Sequence, residues 1–154
     1  MLVVPEKLHA QGAELPKPQN VHRSDLRLPL VVVFTSGEAT VLALKNAGIL
    51  ASRLHARVEL IITQIVPYPL PLDRPPVHPN FCLRRLWALA RETPVETSVR
   101  VFLCRDRLAT LKEVLQPHSL IVIGGRRRWC AMEGESLARK LRRAGHNVIF
   151  TEME

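Results

Sequence analysis

Apolar residues are concentrated in five short segments, and the stretches between them have the periodicity of amphipathic helices. Two of the segments, Leu30–Phe34 and Leu120–Ile123, are wholly apolar, which is typical of strands buried on both faces of a parallel sheet. The other predicted strands are Val58–Val66, Thr97–Cys104 and Asn147–Thr151. Strands alternating with helices predict an α/β fold, with an open, parallel, five-stranded sheet, right-handed crossovers and helices on both faces.

The helix after the first strand has a start signal and an apolar stripe. Thr35 and Glu38 have the spacing of a capping box, so we expect a helix from this point to about residue 54. Its inner face would be formed by four apolar residues: Leu44, Ala47, Ala51 and Leu54. Small residues in such a stripe allow a helix to lie close to a sheet.

Three further helices are predicted. Asn80 can cap a helix that runs to about Arg91, and Asp106 can cap a short helix before Pro117. The last helix is expected over Glu135–Ala144 and is ended by Gly145. Basic residues near its end suit the helix dipole.

Two proline-containing regions lie outside this pattern. Residues 1–28 are interpreted as an N-terminal extension of an α/β domain at residues 29–154, and Leu2–Val4 or Val21 are its candidate apolar anchors. Half of the twelve prolines fall between Pro67 and Pro79, which excludes helix and central strand there. Whether this segment is a functional loop or a spacer stays open.

Composition narrows the class of protein. A chain of 154 residues with 47% hydrophobic residues is expected to form one domain. No apolar run approaches the roughly 18 residues of a membrane-spanning helix, so a cytoplasmic protein without a membrane span is expected. The three cysteines, Cys82, Cys104 and Cys130, lack metal-ligand spacing and predict buried free thiols rather than a disulfide framework or a metal site.

The positive charge is concentrated in the second half of the chain. Residues 81–154 contain 14 Lys and Arg against 8 acids, and residues 1–80 contain 8 against 6, which together give the net charge of +8. Such a field attracts nucleotides, nucleic acid or anionic lipid.

The strongest candidate for a ligand site follows the strand at residues 120–123. Gly124 and Gly125 form a turn, Arg126–Arg128 follow, and a helix begins near Glu133–Ser136. Backbone N–H groups and a helix dipole that converge in this way favour an anion of phosphate size. The alternative is that the glycines only turn the chain and the arginines form a solvated loop.

No catalytic constellation is recognisable. The six histidines are dispersed in the sequence, and no nucleophile motif lies beside any of them. The chain is therefore expected not to be an enzyme, although slow ATP hydrolysis would need only a positioned water and a metal.

The sequence resembles the universal stress protein family from about residue 30 to residue 150. The resemblance is strongest at Leu30–Glu38, at Ile65–Pro67 and from Val95 through Gly124. It implies a Rossmann-like sheet of order 3-2-1-4-5 and often a dimer paired through the fifth strand. In one branch of the family it also implies an adenine nucleotide site, so that ATP or AMP is the expected cofactor if any binds.

The resemblance also points to the ligand-binding residues, and the chain departs from the family's pattern at several of them. Thr35 and Ser36 stand where the nucleotide-binding branch has an aspartate, Arg127 stands at the second glycine of the phosphate loop, and Glu135 replaces a hydroxyl residue. Weak or absent nucleotide binding is the resulting expectation. The complete candidate set is Thr35, Ser36, Ile65, Gly124, Gly125, Arg126, Arg127, Arg128, Gly134 and Ser136.

Two functions remain open at this point. The first is a stress-response-type regulatory domain that binds a nucleotide or another phosphorylated ligand without turnover. The second is an interaction module whose basic surface, including Arg126–Arg128, Trp129 and Arg139–Arg143, contacts a protein, RNA or an acidic membrane. A homodimer through Asn147–Thr151 is expected, since this last strand would otherwise leave an apolar sheet edge open.

Overall fold

A single sheet organises the chain. The computed structural model describes residues 2–4, 29–78, 84, 86–88, 90–91, 93, 95–126 and 133–153. Six strands in the described part of the chain form the sheet in the order β1-β4-β3-β2-β5-β6. Their bounds are β1 Leu2–Val4, β2 Pro29–Val33, β3 Arg57–Ile65, β4 Thr97–Cys104, β5 Leu120–Arg126 and β6 Asn147–Met153.

The five strands from β2 to β6 confirm the predicted parallel sheet. All neighbours among them are parallel, and counted from β2 their order is 3-2-1-4-5. The strand β1 is an addition that the pattern did not predict, because it contains only three residues. It pairs antiparallel with β4, so Leu2–Val4, one of the two candidate anchors of the N-terminal extension, lies on the sheet; Val21 is outside the described residues.

Helices cover both faces of the sheet, as predicted. The complete described helices are α1 Gly37–Leu54, α2 Arg107–Val114 and α3 Glu133–Arg143. Residues 84, 86–88, 90 and 91 are also helical, while Asn80, the expected N-cap of that helix, lies outside the described residues. One core layer contains side chains of α1 with Leu86 and Ala90, and the other contains side chains of α2 and α3.

The predicted N-cap of α2 is confirmed, and the predicted capping box of α1 is wrong. The Asp106 carboxylate accepts a hydrogen bond from the Ala109 N–H at 2.9 Å. At α1 the N-cap residue is Ser36, which makes no side-chain cap hydrogen bond. Thr35 cannot act as the cap because its hydroxyl donates to the Gly124 carbonyl oxygen on β5 instead.

The inner face of α1 is one turn shorter than predicted. Leu44, Ala47 and Ala51 are buried, but Leu54 is 55% exposed. Leu54 is the last helical residue, and the chain turns directly after it at His55, which has a left-handed backbone conformation. The apolar stripe of α1 therefore extends one turn beyond the part of the helix that packs against the sheet. Cys104 is a buried free thiol as expected, and the other two cysteines lie outside the described residues.

Two histidines join the loops that precede β5 and β6. The buried His146 accepts a hydrogen bond at Nδ1 from the Ser119 N–H, at 3.3 Å. Nδ1 of the neighbouring His118 lies 3.1 Å from the Gly145 carbonyl oxygen. Burial, with a smaller contribution from the positive charge of His118, lowers the pKa of His146 below its ordinary value of 6.5.

We expect the stability of the chain to fall as the pH is lowered through this region. The unfolded chain binds a proton at His146 at a higher pH than the folded chain does, so unfolding takes up a proton between the two pKa values. The stability is fully present above about pH 6.5 and decreases as the pH falls toward the lower pKa of the folded state. Denaturant unfolding between pH 8 and pH 5 measures the decrease.

His146→Asn is the matched variant, because its side-chain oxygen can accept the Ser119 N–H without titrating. A wild-type pH profile that is identical to the profile of this variant would refute the assignment to His146.

Candidate functional site

The candidate site lies beyond the carboxyl ends of β2 and β5, where the winding direction of the sheet reverses. The chain passes from β2 to β3 on one side, whereas β5 and β6 lie on the other. Ligands of doubly wound α/β folds bind in the crevice at this switch point. Thr35 and Gly124 meet there, as the sequence predicted for the ends of the first and fourth of the five predicted strands.

Thr35 makes two hydrogen bonds within the chain. Its Oγ1 donates a hydrogen bond to the Gly124 carbonyl oxygen at 2.7 Å. Its backbone N–H donates to Oγ1 of Thr40 in the first turn of α1, at 3.3 Å. Thr35 therefore connects β2 to β5 and to α1.

Gly124 is a glycine because the first turn of α1 approaches it closely, and Gly134 of α3 lies close to its carbonyl oxygen. A Cβ at this position would lie 2.0 Å from the carbonyl oxygen of Ala39, in the first turn of α1. A Cβ at Gly134, the second residue of α3, would lie 3.0 Å from the Gly124 carbonyl oxygen. The first turns of α1 and α3 thus both press on the end of β5. Packing is the visible reason for these glycines, whereas the sequence had indicated only a phosphate loop.

Gly125 is required by a side chain of the neighbouring strand. A Cβ at Gly125 would lie 2.7 Å from the ring of Phe150 on β6. Both glycines are strand residues of β5 rather than a turn, so the predicted glycine turn is wrong. The physical reason is that β5 continues to Arg126 in register with β6, and Gly125 pairs with Glu152.

Arg126 and Glu38 form an ion pair between the end of β5 and the first turn of α1. The Arg126 guanidinium, at the last residue of β5, lies 2.5 Å from a Glu38 carboxylate oxygen in the first turn of α1. Both side chains are largely exposed. The sequence interpretation placed Arg126 among anion ligands and Glu38 in a capping box, and their pairing could not be deduced because 88 residues separate them.

The other candidate ligand residues are spread around this centre. Ile65 ends β3, one strand away from β2, and is 47% exposed. Ser36 and Ser136 are exposed at the starts of α1 and α3. Glu135 lies 3.6 Å from Arg139 on the same helix. Arg127 and Arg128, with Trp129, lie outside the described residues, so their place relative to the crevice stays a prediction.

A second polar cluster, at the ends of β3 and β4, was missed by the sequence interpretation. The Arg105 guanidinium donates to the Val66 carbonyl oxygen at 2.7 Å and to the Leu70 carbonyl oxygen at 2.6 Å. It also stacks on the ring of Tyr68, with 4.1 Å from Cζ to the ring centroid. The Gln64 amide donates to the Val77 carbonyl oxygen at 2.6 Å. These contacts fix the proline-rich loop, residues 67–78, beside the crevice, and the only sequence signal was an arginine directly after a strand.

The described residues show neither a metal-binding cluster nor a membrane-spanning helix. They contain no cluster of three or more His, Cys, Asp or Glu side chains arranged to hold a metal ion. In the same part of the chain, no helix is both long and apolar enough to cross a membrane.

Solved structures that resemble this chain are universal stress proteins. A structure of the universal stress protein from Archaeoglobus fulgidus is 17% identical, with a TM-score of 0.58, over 81% of this chain and 98% of its own. A structure of the Archaeoglobus fulgidus protein in complex with dAMP is 18% identical, with a TM-score of 0.56, over 80% and 96%. A universal stress protein family member from Burkholderia pseudomallei is 20% identical, with a TM-score of 0.52, over 84% and 98%.

The chain therefore has the universal stress protein fold, as the sequence resemblance indicated. No protein-family model matches the sequence, and no curated protein matches it. The fold is thus shared at 17% to 20% sequence identity.

Proposed function

We propose that the chain is a stress-response-type regulatory or binding domain that acts without turnover and binds adenine nucleotide weakly or not at all. The observation that carries the proposal is that the chain satisfies its own polar groups at the switch point. The Thr35 hydroxyl and N–H have internal partners, and the Arg126 guanidinium is paired with Glu38. A nucleotide would have to compete with these contacts.

The balance of free energies supports weak binding. Thr35 supplies no carboxylate, and a hydrogen bond to a charged group contributes roughly 1.5 to 3 kcal/mol, which corresponds to about tenfold to a hundredfold in affinity. A phosphate that binds Arg126 must also compete with Glu38, whose carboxylate already contacts one NH2 group of the guanidinium. An exposed ion pair of this kind stabilises by about 0 to 1 kcal/mol, so this competition weakens binding further but does not prevent it.

Purified wild-type protein is expected to contain no stoichiometric nucleotide, by absorbance and mass spectrometry. In calorimetry, Glu38→Gln is expected to increase ATP affinity by up to about fivefold, because the guanidinium of Arg126 no longer has an internal carboxylate partner. Glu113→Gln is the matched control, since Glu113 is exposed near the end of α2, away from the carboxyl ends of β2 and β5. Wild-type protein that retains one ATP per chain through purification would overturn the proposal of weak binding.

The same fold supports a homodimer through β6, which we include in the proposal. The strand lies at one end of the sheet, and its Ile149 side chain is 41% exposed. Antiparallel pairing of Asn147–Thr151 with its copy would satisfy the open edge and cover this side chain.

Ile149→Lys is expected to shift micromolar protein from dimer to monomer in sedimentation velocity, because charged side chains would meet across the pairing. Val77→Lys is the matched control: Val77 is 52% exposed in the proline-rich loop, which is held against β3 and lies away from β6. Monomeric wild-type protein at this concentration would refute the β6 dimer.

The second candidate function is an interaction module without a small ligand. Its support is the row of exposed basic residues on the outer face of α3: Arg139, Lys140, Arg142 and Arg143. Two of these have internal contacts, since Arg142 donates to the Val148 carbonyl oxygen and Arg139 lies beside Glu135. Aromatic groups that could stack on RNA bases are not interleaved with them. A protein partner therefore fits this surface better than RNA, and nonspecific binding to polyanions would decrease steeply with salt.

A further inference from the structure

The N-terminal strand covers the sheet edge that is opposite β6. In β1, Leu2 pairs with Leu103, Val3 with Phe102 and Val4 with Val101 of β4, all in the antiparallel sense. Every other pairing in the sheet is parallel. The strand β1, which we call the cover strand, is thus an antiparallel addition to a sheet whose other strands are parallel.

The edge beneath this cover is well suited to pairing. Residues Val101–Cys104 of β4 are all buried, so this part of an eight-residue strand is apolar on both faces. Without β1, the outward N–H and C=O groups of Val101–Leu103 would face solvent beside apolar side chains. An exposed edge of this kind is a template for another strand.

The connection between β1 and the rest of the fold is long enough for the cover to leave and return. From the strand order and the register, Val4 and Pro29 are separated by three inter-strand steps and about five residues along the strands, or roughly 20 Å. Residues 5–28 connect them, and a chain of that length can span up to about 80 Å. Only three residues of β1 are paired with the sheet, so few contacts oppose its displacement.

We propose that Leu2–Val4 is a removable cover strand, and that the β4 edge beneath it pairs antiparallel with the β4 edge of a second copy when the cover is displaced. The pairing is self-complementary. Centred on Phe102, it puts Val101 opposite Leu103, where Leu2 stands in the covered state. It also puts Arg100 opposite Cys104, so that no like charges face each other.

The cover strand thereby controls the assembly of the chain. With β1 in place, β6 is the described edge that remains open. With β1 displaced, both ends of the sheet can pair, and two self-complementary edges on one chain generate open-ended arrays. The N-terminal segment inhibits the second interface, and a factor that captures or removes residues 1–4 would release it.

The test is a full-length chain with Leu2→Pro and Val3→Pro together. Consecutive strand residues direct their N–H groups to opposite edges of the strand. One of the two prolines therefore removes an N–H that points toward β4, whichever of the two residues carries it. The matched control is Leu2→Thr with Val3→Thr, which keeps both N–H groups and β propensity. Both pairs of substitutions are made in the Ile149→Lys background, so that the result does not depend on the proposed β6 interface.

The double-proline chain is expected to sediment at twice the mass of the threonine control at the same concentration. Amide exchange at Val101–Leu103 is expected to slow as the protein concentration rises, since β4 then becomes protected by a second copy. A double-proline chain that stays monomeric, with amide exchange that is independent of protein concentration, overturns the proposal. This holds whether the exchange is fast or slow. Aggregation that is equal in the proline and threonine chains also overturns it.

Discussion

Gly124→Ala is expected to destabilise the folded chain by at least about 3 kcal/mol. The new methyl group would lie 2.0 Å from the Ala39 carbonyl oxygen, far inside van der Waals contact. The obstacle is backbone in the first turn of α1, which cannot move aside as a side chain can. Either α1 shifts away from β5 or β5 bends, and both disturb the Thr35 hydrogen bond to the same carbonyl group of Gly124.

Urea unfolding measures this effect, and two other glycines calibrate it. Gly37→Ala adds a methyl group with no atom within 4 Å at the start of α1, so its midpoint should stay close to that of the wild type. Gly125→Ala meets the ring of Phe150, a side chain that can shift more easily than backbone, and an intermediate loss is expected. Equal midpoints for Gly124→Ala and Gly37→Ala would show that the contact between α1 and β5 is not as tight as described.

Arg105→Ala is expected to release the proline-rich loop, residues 67–78, at a cost of about 3 kcal/mol in the local opening free energy. Arg105 donates to the carbonyl oxygens of Val66 and Leu70, and each hydrogen bond from a charged donor contributes roughly 1.5 to 3 kcal/mol. The stacked Tyr68 ring adds a cation–π contribution of about 0.5 to 1 kcal/mol. Limited proteolysis within residues 67–78 should become faster, while global unfolding changes less because Tyr68 and Leu70 are exposed.

Arg100→Ala is the matched control on the same strand. Arg100 also lies over an aromatic ring, that of Phe102, and it pairs with Glu59. It makes no described contact with the proline-rich loop, so its replacement should leave loop cleavage unchanged. Arg105→Lys keeps the charge but loses the planar fork that reaches two carbonyl groups, and an intermediate rate is expected. Unaltered cleavage in Arg105→Ala would refute the anchoring role.

The parallel sheet could be predicted from the sequence because each of its strands is recognisable from its own residues. A wholly apolar run such as Leu120–Ile123 can be assigned without knowing its neighbours, and alternation with helices determines the class of fold. The strand β1 was named only as an anchor, because three residues before a proline have no period to recognise. Its pairing with Val101–Leu103 depends on a contact between distant parts of the chain.

The proximity of Thr35 and Gly124 was predictable from the sequence, whereas the contacts of their groups were not. Thr35 and Gly124 were expected at one crevice, and they meet there at 2.7 Å. Their hydrogen bond and the pairing of Arg126 with Glu38 were not predicted, because side-chain partners 88 or 89 residues apart leave no mark on local patterns. Gly124 was interpreted as a phosphate-loop residue for the same reason, because its contact with Ala39 forms only in the tertiary structure.

The alternation of side chains along β2 has a consequence for cooperativity. Leu30 and Val32 belong to the core layer beneath α1, and Val31 and Val33 belong to the layer beneath α2 and α3. One five-residue strand thus contributes side chains to both core layers. If β2 leaves the sheet, both layers lose packing at the same time. We therefore expect probes placed on opposite faces of the sheet to report the same unfolding transition, rather than two faces that melt separately.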